Sequence, residues 1–341
     1  MHENYRMELI IMLRLVNFSI FLVLVLGVVS GAYGTTVLNS DGGHTIYVSK
    51  VGTDRNDGLT PDKAKRNIIN ALNVAGCGDT VVVGPGVYCE NLVIDKNITL
   101  IGTNQENTVI DGHHADNCIK IRENTTVKIV GFTIKNGIQQ ERTIYFGGGI
   151  YNIGGNVTVE NSTITDNSAE YGGGIYIRKG GVMVLHGVTI KNNRAIDGSG
   201  AGIKNLGTLT AEDSTITDNI SEFNAGGFYN EGTAVFKRVT IKNNQAGEGR
   251  KYEDRRFGGG ILNRGSLIVE DSLIMDNCAL DGGGGIYNGR LLYLYGTTIT
   301  HNTARFGGGL GCYGTGYVDD VTVSLTLGNT PNNFDGSYIP A

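Results

Sequence analysis

Tryptophan is absent from this chain of 341 residues, proline occurs only 4 times and cysteine 5 times. An excess of positive charge is also missing, because the formal net charge is -5. The chain therefore lacks the basic surface that nucleic-acid binding usually requires, and we expect no nucleic-acid partner. The apolar share of 40% is too high for a disordered chain. Glycine, by contrast, occurs 53 times, about twice its usual share. These features predict a folded, turn-rich and mostly β protein.

The cysteines do not form a recognisable metal site, since no CxxC pair or Cys/His spacing typical of zinc occurs. Their odd number leaves at least one thiol outside any intramolecular disulfide. Cys77 and Cys89 are close enough in sequence for a local disulfide, and that question stays open at this stage. We expect Cys118, Cys278 and Cys312 to pack as small apolar residues.

The amino-terminal residues have the layout of a signal peptide. Arg6 and Arg14 precede an apolar run from Leu15 to Val29, and small residues follow up to Ala32. We therefore predict a signal peptide over residues 1–32 and a secreted or cell-surface protein, with an uncleaved membrane anchor as the alternative and membrane contact only in that case. Sequons predict a glycoprotein and begin at Asn97, Asn124, Asn156, Asn161 and Asn219.

Two motifs recur with the same period along most of the chain. A Gly-Gly-Ile-like block ends its glycine run at Gly149, Gly174, Gly202, Gly227, Gly260, Gly285 and Gly309. The successive spacings are 25, 28, 25, 33, 25 and 24 residues. An IxxN block follows in phase, and apolar residues alternate with polar ones between the two blocks, as in short strands. A unit of this length with three short strands is one coil of a parallel β-helix.

Alignment of the coils predicts which residues point inward. Four apolar columns result, and their first members are Val157, Val159, Ile164 and Ile150. The asparagine of each IxxN block falls at a turn, where its amide can bond the equivalent amide in the next coil, so we predict a structural ladder. Its members are Asn167, Asn193, Asn219, Asn244, Asn277 and Asn302.

The segments around the repeats complete the predicted domain organisation. Thr60 as N-cap and Pro61 as first helical residue predict a helix to about Ala75 that covers the first coil. We therefore divide the mature chain into residues 33–79 (strand and capping helix), 80–328 (β-helix) and 329–341 (closing segment). The predicted fold is all-β, a single-stranded parallel β-helix of about ten coils, the coils being stacked at the interstrand spacing.

The residues that precede the repeats resemble the opening of pectate-lyase-like right-handed β-helix proteins. The similar segments are Gly52–Gly58, Gly78–Thr80, Gly84–Tyr88 and Ile98–Gly102. The repeats resemble those of chlamydial polymorphic outer membrane proteins, with Ile in place of Phe in the second motif. They are also similar to adhesin-like surface proteins of methanogenic archaea. The resemblance implies a right-handed helix and is specific for the fold rather than for an activity.

Pectate lyases use a basic residue and calcium held by carboxylates, so the resemblance implies a search for such a cluster. Asp166 and Asp218 stack in alternate coils, about 10 Å apart, which is too wide for shared ligation of one calcium ion. Lys191 and Lys242 neighbour this column and are the candidate bases. These four residues carry the alternative hypothesis, a polysaccharide lyase or epimerase that acts on uronate-containing chains.

A second candidate for cation binding is the acidic turn formed by Asp54, Asn56 and Asp57. It lacks the twelve-residue calcium loop with a terminal glutamate, so the sequence gives only a weak indication of a structural calcium site. The sequence contains no GxSxG, HExxH or phosphate-loop motif. We expect no cofactor, with structural or catalytic calcium as the open alternative.

The candidate binding surface is a column of tyrosines, one place after the inward residue of each Gly-Gly-Ile block. Alternation sends these side chains outward, where their rings can stack on sugar faces. The tyrosine column consists of Tyr151, Tyr176, Tyr229 and Tyr287. A stiffening aromatic ladder without a ligand is the alternative interpretation.

Two insertions enter just before Gly-Gly-Ile blocks, at residues 139–145 and 247–256. The second insertion is rich in donors suited to acidic glycans or a protein partner. Its basic residues are Arg250, Lys251, Arg255 and Arg256. The preferred hypothesis is therefore a non-catalytic, adhesin-like protein that binds a polysaccharide or another cell-surface component.

Overall fold

A computed structural model describes residues 43–137, 146–247 and 256–341. The predicted signal peptide lies outside these residues. Strands stack into a parallel β-solenoid of about nine turns, close to the ten predicted. Among the described residues the strands form sheets of 12, 10, 10 and 5 members, which we call sheets 1, 2, 3 and 4.

The strands are numbered β1 to β37 in chain order. Sheet 1 contains β1 (Thr45–Val48), β2 (Thr80–Val83), β5 (Ile98–Gly102), β8 (Thr126–Val130), β11 (Asn156–Glu160), β15 (Val182–His186), β19 (Thr208–Glu212), β23 (Thr233–Lys237), β27 (Ser266–Glu270), β31 (Leu291–Tyr295), β34 (Thr315–Val318) and β37 (Ile339–Pro340). Sheet 2 contains β4 (Leu92–Ile94), β7 (Ile119–Ile121), β10 (Ile150–Asn152), β14 (Ile175–Ile177), β18 (Ile203–Asn205), β22 (Phe228–Asn230), β26 (Ile261–Asn263), β30 (Ile286–Asn288), β33 (Leu310–Cys312) and β36 (Phe334–Gly336).

The other two sheets complete each coil. Sheet 3 contains β3 (Gly86–Cys89), β6 (Thr108–Asp111), β9 (Thr133–Lys135), β12 (Thr163–Thr165), β16 (Thr189–Lys191), β20 (Thr215–Thr217), β24 (Thr240–Lys242), β28 (Leu273–Met275), β32 (Thr298–Thr300) and β35 (Thr326–Leu327). Sheet 4 contains β13 (Ser168–Tyr171), β17 (Arg194–Ser199), β21 (Ile220–Ser221), β25 (Gln245–Ala246) and β29 (Cys278–Ala279).

The strand pairing follows the predicted columns. Ile150 is paired in register with Ile175, and Ile164 with Ile190, in parallel strands. All four of these isoleucines are 0% exposed. Because each coil places its inward residues directly over those of the next, the buried side chains form one continuous core along the stack.

The amino-terminal helix differs from the prediction. Pro61–Lys63 forms a short 3-10 helix, and a separate α-helix, α1, spans Ile68–Val74. Between them Lys65 donates from its backbone N–H to Tyr47 in β1 at 2.9 Å, so the chain is held in extended form where the prediction continued the helix. Ile68 and Leu72 of α1 pack into the core.

The carboxyl-terminal region contains a second α-helix that the sequence analysis did not predict. This helix, α2, spans Asp320–Leu325, and Asp319 caps it by accepting a hydrogen bond from the backbone N–H of Thr322 at 2.8 Å. Within residues 329–341, β36 and β37 pair with the preceding strands of sheets 2 and 1. In the described part of the chain, neither helix is long and apolar enough to cross a membrane.

Buried asparagines connect the coils at the turn after sheet 3. The Nδ2 group of Asn167 donates to Oδ1 of Asn193 at 3.0 Å, and equivalent bonds continue until Asn302 donates to Asn329 at 3.0 Å. Asn329 therefore adds a seventh member to the six predicted. The sequon at Asn219 cannot point outward as expected, because this side chain is 0% exposed and bonded within the ladder. The asparagines of the other four sequons are exposed.

A second ladder follows the end of sheet 2 and was missed by the sequence analysis. Asn205, Asn230, Asn263 and Asn288 are linked from amide to amide at 2.8 to 2.9 Å. The signal was present in the repeat itself, because an asparagine ends the three-residue strand in most Gly-Gly-Ile blocks. In β14 the equivalent residue is the buried Ile177, which has no amide.

The cysteines are free thiols, including Cys77 and Cys89, so the structure contains no disulfide between them. Cys118 and Cys312 are buried, as predicted, and burial raises the pKa of both thiols. Cys278 is exposed, which contradicts the prediction that it packs inside. Its strand, β29, alternates, and the following residue, Ala279, takes the inward place.

Candidate functional site

The tyrosine column lies in the middle of the sheet 2 strands, but it is not the open surface that the sequence predicts. Tyr176 and Tyr229 are only 7% and 5% exposed. Tyr151 and Tyr287 are half-buried. The prediction of an exposed column is therefore wrong for its two central members, whose rings are covered by other parts of the chain.

The cover comes from the residue four places before the inward residue of each Gly-Gly-Ile block, which we call the pre-glycine position. Phe146 occupies it in one coil, and its ring centroid lies 4.6 Å from that of Tyr176 and 5.9 Å from that of Tyr151. Tyr171 occupies it in the next coil, 5.9 Å from Phe146. The glycine that follows, Gly172, has a φ of +67°, a left-handed conformation in which the chain turns sharply and which glycine adopts without strain.

The pre-glycine position is not filled by a ring in every coil. Its occupants along the stack are Phe146, Tyr171, Ser199, Asn224, Phe257, Gly282 and Phe306. At Ser199 and Asn224 the side chains are too small to cover sheet 2, and a groove opens there with a volume of about 360 Å³. The groove is lined by Phe146, Tyr171, Tyr176, Ser199, Lys204, Leu206, Asn224, Tyr229 and Glu231.

Lys204 lies at the floor of this groove, in the strand position that tyrosine occupies in the neighbouring coils. Its side chain is only 9% exposed, and its Nζ donates to Glu231 Oε1 at 2.8 Å. The ammonium also lies 3.5 Å from the ring centroid of Tyr229 and 5.2 Å from that of Tyr171, which are cation–π distances. A buried cation is therefore held by one carboxylate and two aromatic rings.

The groove residues titrate outside their ordinary ranges. Burial lowers the pKa of Lys204, although the hydrogen bond and charge of Glu231 oppose this effect. Burial acts to raise the pKa of Glu231, but the hydrogen bond and charge of Lys204 outweigh it, so this pKa lies below its usual value. Burial raises the pKa of Tyr176 and of Tyr229 to about 12. At neutral pH the groove therefore contains an ion pair and neutral phenols.

Arg264 stands at the edge of the groove, one coil beyond Glu231. Its Nη1 donates to the hydroxyl of Tyr229 at 3.3 Å, and its guanidinium lies 5.9 Å from the centre of that ring. Tyr229 is thus contacted by two cations, and the groove presents donors, acceptors and ring faces side by side. This arrangement is suited to a ligand with many hydroxyl groups and apolar ring faces.

A second group of rings lies on the same side of sheet 2, toward the carboxyl-terminal end. Phe257 stacks on Tyr287 with centroids 4.2 Å apart, and Tyr287 stacks on Tyr313 at 5.2 Å. Phe306 contacts Tyr313 edge to face at 6.2 Å. Tyr313 is 51% exposed and hydrogen-bonded to Asp335. Aromatic surface is therefore available on both sides of the Lys204–Glu231 pair.

The predicted basic contact loop receives little support from the described residues. Residues 139–145, together with Arg250, Lys251 and Arg255, lie outside them. Arg256 is 3% exposed, its backbone N–H donates to Asp281 Oδ2 at 2.7 Å, and its guanidinium lies 5.8 Å from the ring centre of Phe223. The prediction that Arg256 is an exposed contact residue is wrong, because its side chain is buried against the ring of Phe223 and the carbonyl of Gly247.

The candidate residues for a lyase do not converge. Lys191 and Lys242 lie in β16 and β24 with Thr217 of β20 between them, which separates the two backbones by about 10 Å. Asp166 and Asp218 have φ values of +56° and +55° and accept hydrogen bonds from the preceding threonine hydroxyls. The equivalent residue of each coil is Asp, Asn or His and also has a positive φ, at Asn192, Asn243, Asp276 and His301. These residue types tolerate the left-handed region, so backbone conformation explains the column without catalysis.

The predicted acidic turn is occupied by a lysine. Lys65 Nζ donates to the backbone carbonyls of Asp54 and Asn56 at 3.3 and 2.8 Å. Asp54 instead accepts hydrogen bonds from the backbone of Arg66 and Asn67, which lower its pKa although burial opposes them. The side chain of Asp57 accepts from the backbone N–H of Leu59 at 2.9 Å. The ammonium therefore takes two backbone carbonyls of the turn, and both carboxylates are hydrogen-bonded within the protein.

One group of potential metal ligands was not singled out from the sequence. His186, Glu212 and Asp213 on sheet 1 bring one ligand atom each within 4.8 Å of one another. Arg238 bridges the two carboxylates, with its Nε 2.7 Å from Asp213 Oδ1 and its Nη2 hydrogen-bonded to Glu212. The guanidinium supplies the positive charge that these carboxylates require.

Comparison with known proteins places this architecture in a family. A family model described as the right handed beta helix region matches residues 96–266, about half of the chain. The uncharacterized protein YwoF of Bacillus subtilis (strain 168) is 33% identical over 117 residues, which cover 30% of this chain and 25% of that protein. The chain thus spans a quarter of the length of this curated relative.

Solved structures are similar to this chain at low sequence identity. Pectate lyase Pel9A matches with a TM-score of 0.50 and 13% identity, over 86% of this chain and 78% of that enzyme. Pectin methylesterase PemA from Erwinia chrysanthemi has a TM-score of 0.40 and 13% identity, over 82% of this chain and 80% of that enzyme. The likeness to the chlamydial and archaeal repeats stays a prediction from the sequence motifs. The predicted pectate-lyase-like β-helix is confirmed, and the chain belongs to the right-handed β-helix family.

Proposed function

We propose that this protein binds a polysaccharide chain in the groove above Lys204 and that it does so without catalysis. One observation carries the proposal: aromatic rings and a hydrogen-bonded Lys–Glu pair line the same opening. Aromatic faces stack on the apolar faces of sugar rings, and a charged pair offers strong hydrogen bonds to sugar hydroxyls. The fold shared with a pectate lyase is consistent with a polysaccharide ligand.

The chemistry of the groove favours binding over bond cleavage. Glycoside hydrolysis ordinarily uses two carboxyl groups that flank the scissile bond, and Glu231 is the single carboxylate among the residues that line the groove. A lyase needs a base that is neutral at its working pH and free to reach its substrate; burial lowers the pKa of Lys204, but its ammonium is bonded to Glu231 at 2.8 Å and lies at the floor of the groove. The groove therefore suits recognition better than proton transfer.

We further propose that the protein acts outside the cytoplasm, at or near a cell surface. The basis is the amino-terminal pattern of two arginines followed by the apolar run from Leu15 to Val29. The binding partner would then be a wall or matrix polysaccharide, and neither a cofactor nor calcium is needed for this role. Chelation of divalent cations should leave binding unchanged.

The test is affinity electrophoresis in gels that contain single polysaccharides, with variants of the groove. Lys204→Met removes the ammonium but keeps the length of the side chain, and Tyr171→Ala removes one wall. Each should weaken retention at least tenfold. The control is Tyr317→Ala on sheet 1, away from the groove. It removes a ring that stacks on Tyr293 with the centroids 4.8 Å apart.

Thermal unfolding of every variant distinguishes loss of binding from loss of folding. If Lys204→Met and Tyr171→Ala stay folded and are retained like the parent protein, the groove is not the binding site. If Tyr317→Ala alone loses retention, the binding surface lies on sheet 1. Release of unsaturated uronate from pectate, followed by ultraviolet absorbance, would instead support the lyase hypothesis.

A further inference from the structure

We propose that the polysaccharide recognised by the groove is uncharged and that the groove discriminates against chains that carry uronate groups. This inference rests on the proposed function and specifies its ligand. It differs from the expectation drawn from the basic insertion, which pointed to acidic glycans. Its basis is the arrangement of charge inside the groove.

The cation and the anion of the groove lie at different depths. The side chain of Lys204 is 9% exposed, whereas that of Glu231 is 39% exposed. The carboxylate therefore stands near the opening and the ammonium lies at the floor. A ligand that enters from solvent meets the negative group first, so a sugar carboxylate would approach a group of its own sign before it reached the lysine.

The ammonium is also already engaged. Lys204 Nζ donates a hydrogen bond to Glu231 Oε1 at 2.8 Å, and it also lies 3.5 Å from the ring centroid of Tyr229. A uronate group that accepted from another N–H of Lys204 would lie beside the negative charge of Glu231, and one that displaced Glu231 would leave that carboxylate without its partner. Separating a partly buried ion pair in this way is unfavourable.

Hydrogen-bond chemistry gives an independent reason. An ionised carboxylate such as Glu231 only accepts hydrogen bonds, and a uronate carboxylate only accepts them too, so the two cannot bond to each other. A sugar hydroxyl both donates and accepts. A neutral sugar can therefore donate to Glu231 while it accepts from Lys204, and the ion pair stays intact.

The charged groups around the groove do not reverse this preference. Arg264 contacts the hydroxyl of Tyr229, and its charge helps to lower the pKa of Glu231. Burial raises the pKa of Tyr151 and Tyr176, and the charge of Arg178 opposes that effect. Glu170 lies beside Tyr171 on the same rim. The two arginines are exposed, so salt screens their charges, whereas the Lys204–Glu231 pair is screened less.

The central comparison of the experiment is a matched pair of polymers, one with a carboxylate on each sugar and one with a hydroxyl group in its place. Polygalacturonate and its carboxyl-reduced derivative have the same backbone and linkage, and binding of each to the full chain is measured. The panel also contains neutral hexasaccharides of glucose, xylose, mannose and N-acetylglucosamine, and alginate as a second uronate polymer. We expect retention by neutral ligands only, or a neutral preference of at least tenfold within the matched pair. We also expect little change between low and moderate salt.

Glu231→Gln provides the matched variant, because it keeps the size of the side chain and removes the negative charge at the opening. It should weaken binding of the neutral ligand and reduce discrimination against the uronate polymer. Circular dichroism checks that the variant is folded. If it discriminates as strongly as the parent protein, Glu231 does not set the preference and the inference is wrong.

The outcomes separate the two proposals. The inference would be overturned if an anionic polymer were retained at least as strongly as the neutral ones and if moderate salt abolished that retention. Polysaccharide binding itself would still stand. Retention of no polymer in the panel would remove both. Neutral retention that is unaffected by Lys204→Met would place the binding site elsewhere and overturn the inference as well.

Discussion

Replacing Asn244 with alanine measures how strongly the asparagine ladder holds neighbouring coils together. The side chain is 0% exposed and takes part in five hydrogen bonds. Its Nδ2 shares its two hydrogens among three acceptors, the carbonyls of Ile216 and Lys242 and Asn277 Oδ1. Its Oδ1 accepts from the backbone N–H and the Nδ2 of Asn219.

The expected loss follows from counting the partners that alanine leaves unsatisfied. Each net hydrogen bond contributes about 0.5 to 1.5 kcal/mol, and a buried polar group without a partner costs more than the average bond contributes. Asn219 Nδ2 keeps a second acceptor, the carbonyl of Ile190 at 3.0 Å, which reduces the penalty. We therefore expect the free energy of unfolding to fall by about 3 to 5 kcal/mol.

Urea unfolding followed by circular dichroism provides the measurement, with Asn156→Ala as the control because that asparagine is exposed at the first residue of β11. The control should change the free energy of unfolding by less than about 0.5 kcal/mol. A repeat protein can unfold in stages, so the fit must allow an intermediate. A loss below about 1 kcal/mol for Asn244→Ala would refute the reasoning that the ladder is a major source of cohesion.

Two further predictions concern the aromatic groups of sheet 2. Burial raises the pKa of Tyr229 to about 12, so its neutral form stabilises the fold fully below the unfolded value near 10, and this contribution is lost as the pH rises from about 10 to 12. Unfolding measured across that range should show a smaller loss for Tyr229→Phe than for the parent protein, and an equal loss would contradict the assignment. If the ligand runs along the stack, Tyr313→Ala should weaken binding of hexasaccharides but not of disaccharides, because six strand spacings, about 29 Å, separate β10 from β33. Calorimetry with disaccharides to hexasaccharides measures the affinities. If Tyr313→Ala changes the affinity for both lengths equally, the ligand does not run along the stack.

The core could be predicted from the sequence because the repeat fixes it. Once the coils are aligned, a residue such as Ile164 must lie over Ile190, and alternation decides which side chains point inward. The same logic identified the ladder that contains Asn167. Both features depend on a residue's place within its own coil and on translation along the stack, and a single sequence contains that information.

The groove could not be predicted in the same way. Alternation correctly sends Tyr176 away from the core, but it does not tell whether another segment then covers the ring. That depends on Phe146 and on a turn that folds back over sheet 2. Lys204 directly follows the inward Ile203, so the repeat gives its place in the strand, yet its partner Glu231 lies 27 residues away in the next coil and is not marked by any motif. Pairs of this kind are formed by stacking and become visible only in three dimensions.

The pre-glycine position has a consequence for how such a protein diversifies. Bulky side chains there cover the coils, and small ones in two successive coils, Ser199 and Asn224, leave an opening, while the glycines, the ladder and the inward columns stay the same. A single substitution can therefore shift, widen or abolish the opening by one step along the axis without disturbing the scaffold. Each coil is covered or open according to the side chain at this position. Selection acting on this one position can therefore change the size and place of the proposed binding groove.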